Sequence, residues 1–219
     1  LNGKELSYNN IQDANAALNI VREFDEPFAV GLKHMNPCGA GLGADVVEAW
    51  KKVYEGDKTS IFGGIVAFNR EVNLEVAQLL KPIFLEIVMA PSFAPDALEL
   101  LRAKKNLRVL KVNMEGSVKE QMQCVSVNGG LLVQNQDLTI VPVTASQTVT
   151  EAVPTEGQIV DLNFTWRIVK HVKSNAITVR KAGMIYGVGA GQMNRVGSAE
   201  LALKQAAATL AEEETAKTG

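Results

Sequence analysis

The chain has 219 residues, of which 47% are hydrophobic and 21% charged, and 22 Lys and Arg against 24 Asp and Glu give a formal net charge of -2. This composition is typical of a globular protein, and the near-neutral charge argues against a dedicated nucleic-acid or anionic-membrane surface. No apolar run approaches the ~18–20 residues needed to span a bilayer, so we expect no membrane partner, and the charge gives us no reason to expect a nucleic-acid partner. Cys38 and Cys124 cannot form a disulfide framework, which is typical of a reducing compartment, so we expect a cytoplasmic protein.

The first half of the chain alternates between helical and strand-like patterns. Apolar residues at helical spacing predict helices over 11–24, 46–56, 74–80 and 95–103, and short apolar runs predict strands over 28–32, 65–68 and 84–90. Asp45 is the expected N-cap of the second helix, and Gly56 its expected end. Alternation of this kind predicts an α/β fold with layered, mixed sheets.

Residues 113–120 are polar and irregular, and we expect the boundary between two subdomains there, dividing the chain into 1–115 and 116–219. The second part has strand-like patterns at 129–134 and 139–142, a helical pattern at 159–170, a hairpin at 176–188 and a closing helix from Ser198. A faint echo between 32–36 and 169–173 suggests that the two parts are related.

The densest group of reactive side chains lies at 33–41, directly after the apolar run 28–32. Loops that follow buried strands are where open α/β sheets bind ligands. His34 is a candidate general base, because imidazole exchanges protons near neutral pH, and the Lys33 ammonium beside it could stabilise developing negative charge. The alternative is a turn histidine beside a solvated lysine, which adjacency alone favours.

Two well-known motifs are matched only in part. Pro37-Cys38 begins the P-C-x-x-C of zinc deaminases, but Gly41 stands where the second Cys belongs and no His-x-Glu accompanies it, so we expect no zinc. Residues 39–44 satisfy the dinucleotide fingerprint G-x-G-x-x-G/A, but the acidic residue expected ~20 positions on is missing. We interpret 39–44 and 187–192 as glycine-rich turns that allow close backbone approach to a ligand.

Four further residues are candidates for ligand contacts. Gly63 could present its backbone N–H, and Glu86, in an apolar run, must be either paired or bound to hydroxyl groups. Asn175 opens the expected hairpin and offers both a donor and an acceptor. Arg195 follows the second glycine-rich segment. Taken singly, each is as consistent with a structural role as with binding.

Together these motifs form an ordered series that closely resembles the transformylase domain of the bacterial AICAR transformylase/IMP cyclohydrolase family. The series is Lys-His-Met-Asn-Pro-Cys-Gly at 33–39, Ser-Ile-Phe-Gly-Gly at 60–64, Ala-Pro at 90–91, Val-Lys-Ser-Asn-Ala at 172–176 and Gly-Val-Gly-Ala-Gly-Gln-Met-Asn-Arg at 187–195. The resemblance covers essentially the whole chain. It implies two cytidine-deaminase-like α/β subdomains without zinc, the second of them incomplete here.

The resemblance also implies an activity: formyl transfer from 10-formyltetrahydrofolate to the 5-amino group of AICAR, by a protein that forms homodimers. It implies that His34 accepts the proton, that Lys33 stabilises the transition state and that Asn175 assists catalysis. The implied nucleotide-binding positions are Gly63, Glu86, Asn175 and Arg195, and the implied folate-contacting position is Val196. Some relatives carry Asp at the position of Glu86, and either carboxylate could accept from ribose hydroxyls.

Family segments expected before Leu1 and after Gly219 are not matched, and neither is the IMP cyclohydrolase domain. We therefore expect the chain to be a fragment of the transformylase domain that is inactive by itself. The alternatives are a zincless deaminase-like nucleotide-binding module and a dimerisation module without turnover.

Overall fold

The computed structural model describes residues 1–114 and 122–218. In chain order the described elements are α1 (Tyr8–Val21), β1 (Phe28–Lys33), β2 (Asn36–Leu42), α2 (Val46–Gly56), β3 (Gly64–Phe68), α3 (Leu74–Leu80), β4 (Leu85–Ala90), α4 (Pro95–Arg102), β5 (Arg108–Lys111), β6 (Met122–Val127), β7 (Gly130–Asn135), a 3₁₀ turn (Ala145–Gln147), α5 (Glu156–Val169), β8 (Ile177–Lys181), β9 (Met184–Gly189) and α6 (Arg195–Thr218). No helix in these ranges has the length and apolar character needed to cross a membrane.

Seven strands form one mixed sheet in the order β5-β4-β3-β1-β2-β9-β8. The pairs β3–β4 and β4–β5 are parallel, and the other neighbours are antiparallel. The predicted α/β architecture with a mixed sheet is therefore confirmed. Strands β8 and β9, from the second part of the chain, join the same sheet as β1 to β5, and β6 and β7 form a separate hairpin.

Apolar side chains cover both faces of this sheet. Buried residues of α2, α3 and α4, including Trp50, Leu80 and Leu101, form one core cluster with the strands. Residues of α1 and α5, including Ile20 and Ile168, form the other. The sheet is thus the middle layer of three, so that ligands can reach it mainly at the ends of its strands.

Local sequence signals account for most of the element boundaries. The Asp45 side chain accepts from the backbone N–H groups of Val47 and Glu48, which confirms it as the N-cap of α2, and Gly56 ends that helix as predicted. The hairpin predicted at 176–188 is formed by β8 and β9. Helix α6 begins at Arg195, slightly before the predicted start at Ser198.

Two of the predictions from sequence are wrong. No strand forms at 139–142. Pro142 has no N–H to donate to a neighbouring strand. The Asn163 side chain instead accepts from the Val143 N–H and donates to the Val143 carbonyl, each at 2.9 Å. The segment interpreted as a ligand-binding turn at 39–44 is largely strand β2. The boundary expected at 113–120 lies mostly outside the described residues.

Gly39 and Gly187, one from each glycine-rich segment, allow a helix to pack closely on the sheet. A Cβ atom on Gly39 would lie 2.3 Å from the Val53 carbonyl oxygen of α2, and one on Gly187 would lie 2.0 Å from the Ala202 carbonyl oxygen of α6. The close approach predicted from the sequence is therefore real, but at Gly39 and Gly187 it is between strand and helix.

Candidate active site

Most of the predicted site residues lie along one edge of the seven-stranded sheet. Strand β1 ends at Lys33, and the antiparallel β3 begins beside it at Gly64. Strand β4 runs parallel to β3 and begins at Leu85, one residue before Glu86. Because these strand ends share an edge, Lys33, His34, Gly63 and Glu86 are neighbours along it.

The same edge continues through β2, β9 and β8. Strand β2 begins at Asn36, β9 ends at Gly189 and β8 begins at Ile177. Asn175 precedes β8 and Arg195 follows β9, so both belong to loops at this edge. With strands ~4.8 Å apart, β4 and β9 each lie ~10 Å from β1, on opposite sides of it.

The hairpin turn between β1 and β2 presents the candidate base. His34 and Met35 have φ values of 51° and 63°, the paired left-handed conformation of a two-residue type I′ turn. The Asp13 carboxylate accepts from the Met35 N–H at 2.7 Å and ties the turn to α1. The His34 imidazole is exposed, and among the described residues nothing hydrogen-bonds to it, so it is available to a substrate.

Asn36 connects this turn to the loop that carries Asn175. Its Nδ2 donates to the His34 carbonyl at 3.1 Å, and its Oδ1 accepts from the Lys173 N–H at 3.0 Å. Lys173 in turn accepts, through its carbonyl, from the Gly191 N–H at 2.7 Å. Three segments far apart in sequence are thereby joined.

Lys33 extends from the end of β1 towards Gly63. Its Nζ donates to the Phe62 carbonyl at 2.6 Å, and a Cβ on Gly63 would lie 3.1 Å from that nitrogen. Gly63 has φ +67°, and its N–H donates to the Phe84 carbonyl at 2.7 Å. This N–H is therefore bonded within the fold, and Gly63 provides a turn and room for Lys33; its contact with a nucleotide stays a prediction.

Lys33 and His34 line a common cleft of about 690 Å³ between the end of α2, the turn before β3 and helix α6. Its walls also carry Asp57, which accepts from Gln205 at 3.0 Å, and Cys38. Burial, together with the Asp57 carboxylate, raises the pKa of Cys38 to about 12. Cys38 is therefore held as a neutral thiol, which is a poor nucleophile.

Glu86 is paired. Its Oε2 accepts from Arg108 at 2.7 Å, and Arg108 also donates to the Glu5 carbonyl at 3.0 Å. The Glu86 side chain nevertheless remains 39% exposed, so it is accessible from solvent at the strand end.

The loop between β9 and α6 contacts Asn175 directly. Asn175 donates to the Gln192 carbonyl from both its backbone N–H and its Nδ2, each at 3.0 Å. Arg195 and Val196 follow at the first residues of α6, with both side chains exposed. The structure thus brings Asn175 close to the segment that carries the predicted nucleotide and folate contacts.

Three supporting residues were not predicted from the sequence: Asp13, Asn36 and Ser198. Ser198 is fully buried, and its single hydroxyl proton is shared between the carbonyls of Gly189 and Asn175, whose oxygens lie 2.8 Å and 3.1 Å from its Oγ. Asn36 lies inside the 33–39 motif, but its partner Lys173 is 137 residues away. In the described parts of the chain, no group of three or more His, Cys, Asp or Glu side chains is arranged to hold a metal ion.

Fold and site together define an α/β protein in which a lysine and a histidine share a cleft at one edge of a mixed sheet. The family model described as "AICARFT/IMPCHase bienzyme" matches residues 1–205. The chain belongs to this family.

Curated relatives have the name "Bifunctional purine biosynthesis protein PurH". The protein of Anoxybacillus flavithermus is 60% identical over 206 residues, that of Bacillus cytotoxicus 56% and that of Bacillus cereus strain AH187 55%. Each match covers 94% of this chain and 40% of the relative. The chain therefore spans about 40% of the length of these relatives.

Proposed function

We propose that this chain contributes catalytic and nucleotide-binding residues to an AICAR transformylase of purine biosynthesis, which transfers the formyl group of 10-formyltetrahydrofolate to AICAR. The observation that carries the proposal is that Lys33 and His34 line one cleft in a chain that is 55–60% identical to purine-biosynthesis proteins. The ordered glycine, asparagine and arginine positions along the same sheet edge support it.

The chemistry requires a base. The 5-amino group of AICAR is a weak nucleophile because its lone pair is delocalised into the imidazole carboxamide, so the amine must lose a proton as it attacks. The amine nitrogen forms a bond to the formyl carbon, the bond from that carbon to folate N10 breaks, and N10 keeps the electron pair. His34 takes the proton from the amine and can return it to N10.

Lys33 stabilises the negative charge that develops on the formyl oxygen. Its ammonium is held at the end of β1 by the Phe62 carbonyl, beside His34 in sequence and in the same cleft. A cation fixed before the reaction stabilises an oxyanion without reorganising during the step. Asn175, Gly63, Glu86 and Arg195 are proposed to hold the nucleotide, and Val196 to contact the folate.

We also propose that the fold consists of cytidine-deaminase-like subdomains divided near residue 115, and that the full gene product is a cytoplasmic homodimer. The mixed sheet with helices on both faces supports an α/β subdomain, and β8 and β9 from beyond residue 115 complete that sheet. The second rests on the family resemblance, and light scattering on the full gene product tests it.

The decisive experiment is His34→Ala in the full gene product that carries this chain, with tetrahydrofolate release as the readout. We expect a fall in transformylation of at least about 10², the usual worth of a positioned general base, and AICAR affinity within a few fold of wild type. His171→Ala is the matched control, because His171 is bonded to Glu23 and lies outside the cleft. Wild-type turnover by His34→Ala would remove His34 from the mechanism.

A further inference from the structure

Two loops of the candidate site meet at a single side chain. The Asn36 amide donates from Nδ2 to the His34 carbonyl at 3.1 Å and accepts at Oδ1 from the Lys173 N–H at 3.0 Å. One loop carries the candidate base and the other leads, two residues later, to Asn175.

The chemistry of the side chain explains why asparagine stands there. An amide offers a donor and an acceptor on one short, planar group, whereas a carboxylate offers only acceptors and an aliphatic side chain offers neither. Glutamine has the same two groups but is one methylene longer, so its amide would be displaced from this position and would lose more rotamer freedom on making both bonds. Asn36 itself is half-buried, and both of its bonds lie at the solvent-exposed end of the strands.

The turn needs this support. His34 and Met35 both adopt left-handed backbone conformations, which non-glycine residues hold only where their surroundings fix them. Asp13 fixes the Met35 N–H from the side of α1, and Asn36 fixes the His34 carbonyl. The imidazole therefore extends from a backbone that is held on both sides.

We propose that Asn36 is a positioning residue that couples the His34 turn to the Asn175 loop, an inference that rests on the proposed transformylase function. Its Nδ2 bond sets the backbone from which the base reaches the amine. Its Oδ1 bond sets the loop that holds the nucleotide. A shift of about 1 Å in either would lower the rate, because formyl transfer depends on near-attack geometry.

The test separates the two bonds in the full gene product. Asn36→Ala removes both, and Asn36→Asp keeps an acceptor for the Lys173 N–H but loses the donor to the His34 carbonyl. Asn163→Ala is the matched control, because Asn163 holds Val143 through the same kind of two-way side-chain to backbone bonding, away from the cleft. The readouts are kcat and the KM for AICAR, with circular dichroism to establish folding.

For Asn36→Ala we expect kcat to fall at least about tenfold and the KM for AICAR to rise about threefold or more. For Asn36→Asp we expect a similar fall in kcat, with KM within about twofold of wild type. Asn163→Ala should leave both constants within about twofold.

Three results would overturn the coupling: wild-type constants for Asn36→Ala, equal KM increases in both Asn36 variants, or losses in Asn163→Ala that match those of Asn36→Ala. If Asn36→Ala does not fold, Asn36→Asp decides alone, and an unchanged kcat overturns the proposal. Failure of the transformylase function itself is distinguishable, because the wild-type protein would then release no tetrahydrofolate from AICAR and 10-formyltetrahydrofolate.

Discussion

The contact between β9 and α6 leaves no room for even the small substitution Gly187→Ala. The added Cβ would lie 2.0 Å from the Ala202 carbonyl oxygen and 3.0 Å from the Ala206 nitrogen, whereas ordinary contact begins at 3.4 Å. These are backbone atoms of a helix, so no flexible side chain can move aside. Helix α6 must retreat by up to 1.4 Å, the difference between 3.4 and 2.0 Å.

The energetic consequence follows from that displacement. Overpacking of a tight interior costs typically about 1–3 kcal/mol, and a clash with rigid backbone belongs at the upper end of that range. For a chain of this size, about 3 kcal/mol corresponds to a fall in Tm of roughly 6–12 °C. Because α6 begins at Arg195, its retreat also withdraws the predicted nucleotide and folate contacts from the sheet edge.

Thermal denaturation followed by circular dichroism measures the effect. Gly157→Ala is the matched control: it makes the same chemical change in α5, where a Cβ meets nothing within 4 Å, and should stabilise the protein by up to about 1 kcal/mol. Equal melting temperatures for Gly187→Ala and wild type would show that α6 is not seated on the glycines of β9.

Three further predictions concern charge and hydrogen bonding. Lys33→Ala in the full gene product should lower kcat with little change in KM, because the ammonium acts on the transition state; a rise in KM alone would make Lys33 a nucleotide anchor. Burial would raise the pKa of Glu23, but hydrogen bonds from His171 and Lys170 outweigh it and hold that pKa below its ordinary value. The contribution of Glu23 to the free energy of unfolding is therefore present above about pH 4.5 and is lost as the pH falls below that value. In urea denaturation, the difference in the free energy of unfolding between wild type and Glu23→Gln should therefore shrink as the solution is made acidic. A difference that does not depend on pH would contradict this. Ser198→Ala removes a buried hydroxyl whose one proton is shared between two carbonyls, and it should lower the free energy of unfolding by about 1–3 kcal/mol in the same assay, whereas an unchanged value would show that the two carbonyls find another donor.

The sequence predicts helices and strands correctly where their spacing, cap and end residues lie within one short segment. Helix α2 was predicted from its apolar spacing, its Asp45 cap and its Gly56 end, all within one short segment. Strand β2 was missed because its proline and glycines lower β-propensity, and the reason for the glycines is the close approach of α2, which a single sequence does not reveal.

In the candidate site, too, the sequence predicts the residues with a local signal and misses those whose roles depend on distant partners. Lys33 and His34 were found because they are adjacent residues of reactive type after an apolar run. Asn36 and Ser198 were missed because their roles depend on partners brought together by the fold, and the pairing of Glu86 with Arg108 depends on two neighbouring parallel strands.

The link between Asn36 and Lys173 also determines when the site can exist during synthesis. The two residues are 137 positions apart, so at ribosomal rates of about 5–20 residues per second the His34 turn is made roughly 7–27 s before its partner loop. Through that interval β2 has an open edge, since β9, its neighbour in the finished sheet, has not yet emerged. The nascent chain therefore presents β2 with unpaired backbone groups along one side, and translation itself sets the period during which that strand must be protected.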